Sequence, residues 1–227
     1  MAINESTTVT SVLFDLDGTL LDTATDFFGA INRLRKEEGL PDGDYKSIRY
    51  TASNGAAALI DLNFQVTRNS SKFEELQRRL LSHYEQHIAD TTQLFKGLDT
   101  LLDWLESQAM PWGVVTNKPE RFTTPLLKKL QLHHRCATII CPDHVTHTKP
   151  HPEPLLLACH QVSSPPSETV YIGDHSRDIV AGQRAGMRTI AALYGYLSPE
   201  DKPEKWNATF SATSPDEILE WLQQQNS

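Results

Sequence analysis

Short β-rich runs, each cut off by a polar or acidic residue, constrain this chain more than any other feature. Val9–Phe14 (VTSVLF) stops at Asp15, Trp112–Val115 stops at Thr116, and Thr169–Ile172 runs into Gly173-Asp174. Thr138–Cys141 and Arg188–Leu193 read as two further strands. Helical stretches separate them: Leu98–Ser107, Arg121–Leu130, Pro154–Gln161, Arg177–Ala185 and Pro215–Gln225. Pro154 suits a first helical turn, Gly186 is a C-terminal cap, and Ser214 is an N-cap. Strands that alternate with helices imply a parallel sheet covered on both faces. Residues 22–93 break this rhythm. Phe27, Ile31 and Leu34 recur at helical spacing, as do Phe73, Leu76, Leu80 and Tyr84, and strand-like runs are scarce. The expected fold is therefore α/β, a doubly wound, Rossmann-like parallel sheet built from residues 1–21 and 94–227, with a helical unit inserted over residues 22–93.

Composition excludes several classes. The chain has 227 residues, 39% hydrophobic and 22% charged, which is enough for a core without staples and unlike a disordered chain or a coiled coil. Net charge is −8, and Arg33, Arg35 and Lys36 sit beside Glu37 and Glu38, so no basic face for nucleic acid is expected. No apolar run is long enough to span a membrane. Met1–Thr10 is polar and does not read as a signal peptide. Cys136, Cys141 and Cys159 are odd in number and form no C-x-x-C, which fits reduced thiols and a cytoplasmic protein.

In a doubly wound sheet, ligands bind beyond the carboxyl ends of the strands. The residues there are Asp15-Leu16-Asp17-Gly18-Thr19, Thr116-Asn117-Lys118, the loop residue Lys149, and Gly173-Asp174-His175-Ser176-Arg177-Asp178. Gly18 lets the chain bend so that Asp15 and Asp17 face one site; taken alone, the segment could also be a loop with helix-capping aspartates. Asp174 and Asp178 add carboxylates that repel unless a cation neutralises them. Donors that are all oxygen favour a hard ion, Mg²⁺ before Zn²⁺. Thr116 supplies a hydroxyl and Lys149 a point charge suited to a phosphoryl group. His144, His147 and His151 share a loop without a partnering Cys or helix and read as solvated histidines. His175 sits beside Asp174, within reach of the site, and no specific role is expected of it. Trp104, Trp112 and Trp221 read as packing residues.

These motifs, "DLDGT", Thr116, Lys149 and "GDHSRD", occur in the order found in haloacid dehalogenase superfamily phosphatases, and the sequence resembles that family over nearly its whole length. The resemblance implies that Asp15 is a nucleophile forming an aspartyl-phosphate and that Asp17 is the general acid and base. Thr116 and Lys149 would hold the phosphoryl group. Mg²⁺ would be bound by the Asp15 side chain, the Asp17 carbonyl and Asp174, with Asp178 in support. The insertion would be a mobile cap whose "RYTASNGAAALI" segment resembles a substrate loop, with Arg49 pairing a substrate carboxylate and Ser53, Asn54 and Gly55 lining the pocket. Asn117 and Lys118 are expected near the phosphoryl group. The implied partner is a small-molecule phosphate monoester. The default is 2-phosphoglycolate, the alternative is N-acetylmuramic acid 6-phosphate, and a sugar phosphomutase of the β-phosphoglucomutase type is the alternative in another reaction class. Dehalogenase chemistry is disfavoured because an acid stands at Asp17.

Overall fold

The computed structural model describes residues 8–226; the first seven residues of the polar N-terminal stretch lie outside them. Among the described residues a six-stranded sheet is built from β1 (Ser11–Phe14), β4 (Trp112–Val115), β5 (Thr138–Ile140), β6 (Thr169–Gly173), β7 (Arg188–Ala192) and β8 (Phe210–Ala212). Its order is β5-β4-β1-β6-β7-β8 with every pair parallel. β1 is central, and the winding direction reverses on either side of it. That reversal is the switch point at which such sheets open a crevice.

Each central strand is buried on both faces, as a parallel sheet between helix layers requires. Leu13, Val115 and Tyr171 pack with Leu155, Ala158 and Ala181 of α7 (Glu153–Val162) and α8 (Ser176–Ala185). Val12, Phe14, Val114 and Ile172 face the larger cluster, which holds α5 (Leu98–Ser107), α6 (Glu120–Lys129) and α9 (Pro215–Gln225). The expected caps are present. Ser214 accepts from Glu217 N, and Gly186 adopts φ +78°, the left-handed conformation of a helix stop. Trp112 is fully buried, while Trp104 and Trp221 pack half-buried against the same core.

The inserted unit comprises α1 (Ala24–Glu37), α2 (Tyr45–Ala52), α3 (Gly55–Asn63) and α4 (Ser71–Gln86). Phe27, Ile31, Leu34, Phe73, Leu76, Leu80 and Tyr84 are all buried, as their spacing predicts. The chain enters and leaves this unit through an antiparallel ribbon of β2 (Leu21–Asp22) and β3 (Gln93–Leu94), with Asp22 opposite Gln93. Sequence reading missed β8. It is three residues long, and the preceding Asn207-Ala208-Thr209 gives no apolar run that would mark a strand.

Candidate active site

The ends of β1, β4 and β6 bring the motif residues together. Asp15 follows β1, and its amide donates to Ile172 O of the neighbouring strand at 2.8 Å. The Leu16 amide turns back onto Asp15 Oδ1 at 2.7 Å. Gly18 then takes φ +84°, and a Cβ at this position would stand 2.2 Å from Asp174 Oδ2. Only glycine allows both the turn and the close approach.

Asp15, Asp174 and Asp178 are buried, and one carboxylate oxygen from each lies within 4.8 Å of the others. Asp174 accepts from Thr19 Oγ1 at 3.0 Å and from Tyr196 N at 2.9 Å. Burial, then the charges of Asp15 and Asp178, push its pKa up to about 8. Three crowded carboxylates with hard oxygen donors fit a divalent cation of the Mg²⁺ type.

Lys149 is fully enclosed. Its Nζ lies 2.8 Å from Asp15 Oδ1 and 2.8 Å from Asp178 Oδ1, and it also meets Val115 O at 2.9 Å and Tyr171 Oη at 2.7 Å. Burial works against its charge, but the two carboxylates outweigh it and hold its pKa above that of an ordinary lysine. Asn117 fixes the same residue from behind: Nδ2 donates to Lys149 O at 3.0 Å, and Oδ1 accepts from Lys149 N at 3.1 Å. Thr116 is buried and accepts from Lys118 N at 3.1 Å.

Asp17 turns toward the inserted helices. It accepts from Thr23 Oγ1 at 2.6 Å and pairs with Lys118 Nζ at 3.0 and 3.2 Å. That ammonium lies 4.7 Å from the Phe27 ring centre and 4.6 Å from that of Tyr84, two rings stacked 4.2 Å apart. Burial opposes the Lys118 charge, yet Asp17 and Tyr84 raise its pKa.

A cavity of about 250 Å³ joins these groups to the insertion; Ser53, Asn54 and Gly55 line it beside Asp15, Asp17, Thr116, Asn117, Lys118 and Lys149. Arg49 does not line it. Its guanidinium donates to Gly195 O at 2.9 Å and Tyr194 O at 3.3 Å and stacks 4.7 Å from the Tyr196 ring centre. Those core carbonyls offer Arg49 two acceptors, so it clamps α2 to the sheet side instead of facing a ligand. The arginine that lines the cavity is Arg177, within "GDHSRD", a position that carries no signal of its own in the sequence. It donates to Ser53 O at 2.7 Å and Asn54 Oδ1 at 3.2 Å.

Tyr171, Thr19 and Tyr196 were also missed as supports. Of these, only Thr19 had a sequence signal, its place in "DLDGT". His175 caps α8: Nδ1 accepts from Arg177 N at 3.1 Å, and burial followed by the Arg177 charge lowers its pKa to about 4. It is therefore neutral, as an acceptor must be.

Residues 12–192 match the family model described as haloacid dehalogenase-like hydrolase. The chain belongs to this family. It is 43% identical to the N-acetylmuramic acid 6-phosphate phosphatase of Pseudomonas aeruginosa, over 93% of this chain and 94% of that protein. The Pseudomonas putida enzyme of the same name is 44% identical, over 92% and 93%. The phosphoglycolate phosphatase of Xanthomonas campestris is 38% identical, over 92% and 95%. Among solved structures, a haloacid dehalogenase-like family hydrolase of Streptococcus pneumoniae superposes with TM-score 0.80 at 24% identity, over 95% and 99% of the chains, and shares the fold. Family, phosphatase relatives and site chemistry agree on phosphoric monoester hydrolysis.

Proposed function

We propose that this protein hydrolyses N-acetylmuramic acid 6-phosphate through an aspartyl-phosphate on Asp15, with Mg²⁺ held by Asp15, the Asp17 carbonyl and Asp174, and with Asp178 in support. The observation that carries the chemistry is the buried Lys149 ammonium, 2.8 Å from both Asp15 and Asp178, beside a cavity. Asp15 attacks phosphorus, the phosphorus–ester oxygen bond breaks, and Asp17 gives its proton to the departing alcohol. Water then attacks phosphorus and gives a proton to Asp17; the Asp15–phosphorus bond breaks and inorganic phosphate leaves. Lys149 and Thr116 hold the phosphoryl oxygens throughout. The bound cation supplies the positive charge that lets a carboxylate approach a phosphate dianion.

Residues 22–93 act as a cap over a core of residues 1–21 and 94–227. The cap closes Ser53, Asn54 and Gly55 onto the substrate and excludes water. Phe27, Leu81, Ala52 and Ala56 give the cavity apolar walls. Those walls suit the acetyl and lactyl methyl groups of the amino sugar better than a two-carbon acid. The 43–44% identity to the Pseudomonas phosphatases points the same way. Three free thiols agree with a cytoplasmic setting.

Phosphate release is measured over a panel of N-acetylmuramic acid 6-phosphate, 2-phosphoglycolate and glucose phosphates, with Mg²⁺ and with chelator. The amino-sugar ester is expected to lead in kcat/KM by about tenfold or more. A lead for 2-phosphoglycolate overturns the substrate. Turnover that needs a sugar bisphosphate and releases no phosphate overturns hydrolysis in favour of the mutase.

A further inference from the structure

Two imidazoles and a carboxylate converge outside the active site, on the loop leading into α7. Glu153 is the first residue of that helix, and its Oε2 lies 2.9 Å from His147 Nδ1 and 3.8 Å from His151 Nδ1. One donor atom from each of the three residues lies within 4.8 Å of the others. Zinc bonds of about 2.0–2.2 Å place tetrahedral ligands roughly 3.3 Å apart, so an ion gathers this trio by replacing the bond between His147 Nδ1 and Glu153 Oε2, at 2.9 Å, and the one His151 Nδ1 accepts from Glu153 N, at 3.2 Å.

The carboxylate is held in place before any ion arrives. Glu153 Oε1 accepts from Thr146 N at 2.8 Å and Oε2 from His147 N at 3.0 Å. The two imidazole rings lie 4.6 Å apart at a tilt of 33°. The side chains of His147, His151 and Glu153 are 61%, 49% and 32% exposed, so an ion reaches them directly from solvent. From the sequence alone these histidines lack a partner; the helix supplies it only when folded, because the first turn of α7 carries Glu153 back over the loop.

We propose that His147, His151 and Glu153 form a second metal site, selective for a borderline cation of the Zn²⁺ class and separate from the all-oxygen Asp15, Asp174 and Asp178 cluster. Two nitrogen donors with one carboxylate suit Zn²⁺ over Mg²⁺. The site has a built-in consequence for the fold. His147 and His151 stand two residues to either side of Lys149. An ion shared between them ties both flanks of the segment that carries the buried ammonium. The inference does not depend on the substrate proposed above.

The test is equilibrium dialysis of the full chain against Zn²⁺ in millimolar Mg²⁺, which keeps the acidic cluster supplied with its own ion. One Zn²⁺ per chain is expected at micromolar free metal. His147→Ala and His151→Ala each weaken it by about tenfold or more. In chelator both variants should melt within a few degrees of the wild type, because each gives up only one exposed hydrogen bond to Glu153. Zn²⁺ should raise the wild-type melting temperature and leave that of the double variant unchanged. Absence of stoichiometric Zn²⁺ at micromolar levels overturns the site, as does equal binding by the double variant; either result leaves a solvated His–Glu ion pair.

Discussion

The nucleophile proposed here is Asp15. Its Oδ1 meets Leu16 N and Lys149 Nζ, at 2.7 and 2.8 Å. Asp15→Asn keeps the shape and removes the carboxylate proposed as nucleophile. Turnover should fall by about 10³-fold or more, while the far-ultraviolet circular dichroism stays that of the wild type; comparable phosphate release from the variant removes Asp15 from its role. The cysteines show the opposite case, residues with reactive chemistry that the fold suppresses. Burial pushes the thiol of Cys136 up to about 12 and that of Cys141 up to about 11, and it raises Cys159 as well. A raised thiol pKa means the neutral, unreactive form at pH 8. Native protein should therefore consume less than one equivalent of a disulfide reagent at pH 8. All three thiols should react after denaturation, and the native rate should climb about tenfold per pH unit toward pH 11. Rapid native labelling at pH 7 contradicts this burial.

The elements that sequence patterning revealed are those whose burial is two-sided or periodic. β1, β4 and β6 read as continuous apolar runs because helices cover both faces, and α1 and α4 read from Phe27, Ile31, Leu34, Leu76 and Leu80 because one stripe of each is buried. β8 and the β2–β3 ribbon were illegible, since strands of two or three residues carry no period. The site divides the same way. Asp15 and Asp174 follow strand ends, and Asp178 stands four residues on from Asp174, so the strand pattern marks their place; Lys149, in the loop between β5 and α7, is marked only by its order among the other motifs. The place of Arg49 was not legible, because its partners, the carbonyls of Tyr194 and Gly195, lie 145 and 146 residues away and leave no mark of their own in sequence. This placement gives a clear expectation at the level of the α2 helix. Arg49→Ala loses two hydrogen bonds and a ring contact that tie α2 to the loop after β7. It should destabilise the protein by about 1–3 kcal/mol in urea unfolding. KM for the phosphate ester should change by less than about threefold. A large KM increase with unchanged stability would return Arg49 to the substrate carboxylate.

Across the whole molecule, the sheet's switch point gathers more negative charge than its own residues neutralise. Lys149 faces Asp15 and Asp178, and Asp174 is left with two neutral donors, Thr19 and the Tyr196 amide. The same Tyr196 carries its hydroxyl to Ala24 N and Asp22 Oδ1, each at 2.8 Å, at the entrance to the inserted helices. The acidic cluster is thus braced by a residue that also anchors the insertion, and relief of charge in the cluster should be felt as global stability. A divalent ion that binds only the folded chain contributes about 2.7 kcal/mol at a hundredfold excess over its dissociation constant. For a chain of this size that corresponds to a melting temperature about 5–10 °C higher in Mg²⁺ than in chelator. Activity should vanish in chelator and return with Mg²⁺. Asp174→Asn removes one carboxylate from the crowd, so its melting temperature should respond to Mg²⁺ by less than half as much as the wild type's. Calorimetry of the two proteins, each with and without Mg²⁺, decides the matter. Equal Mg²⁺ responses would mean that the ion binds elsewhere, and that the three carboxylates meet for a reason other than holding it.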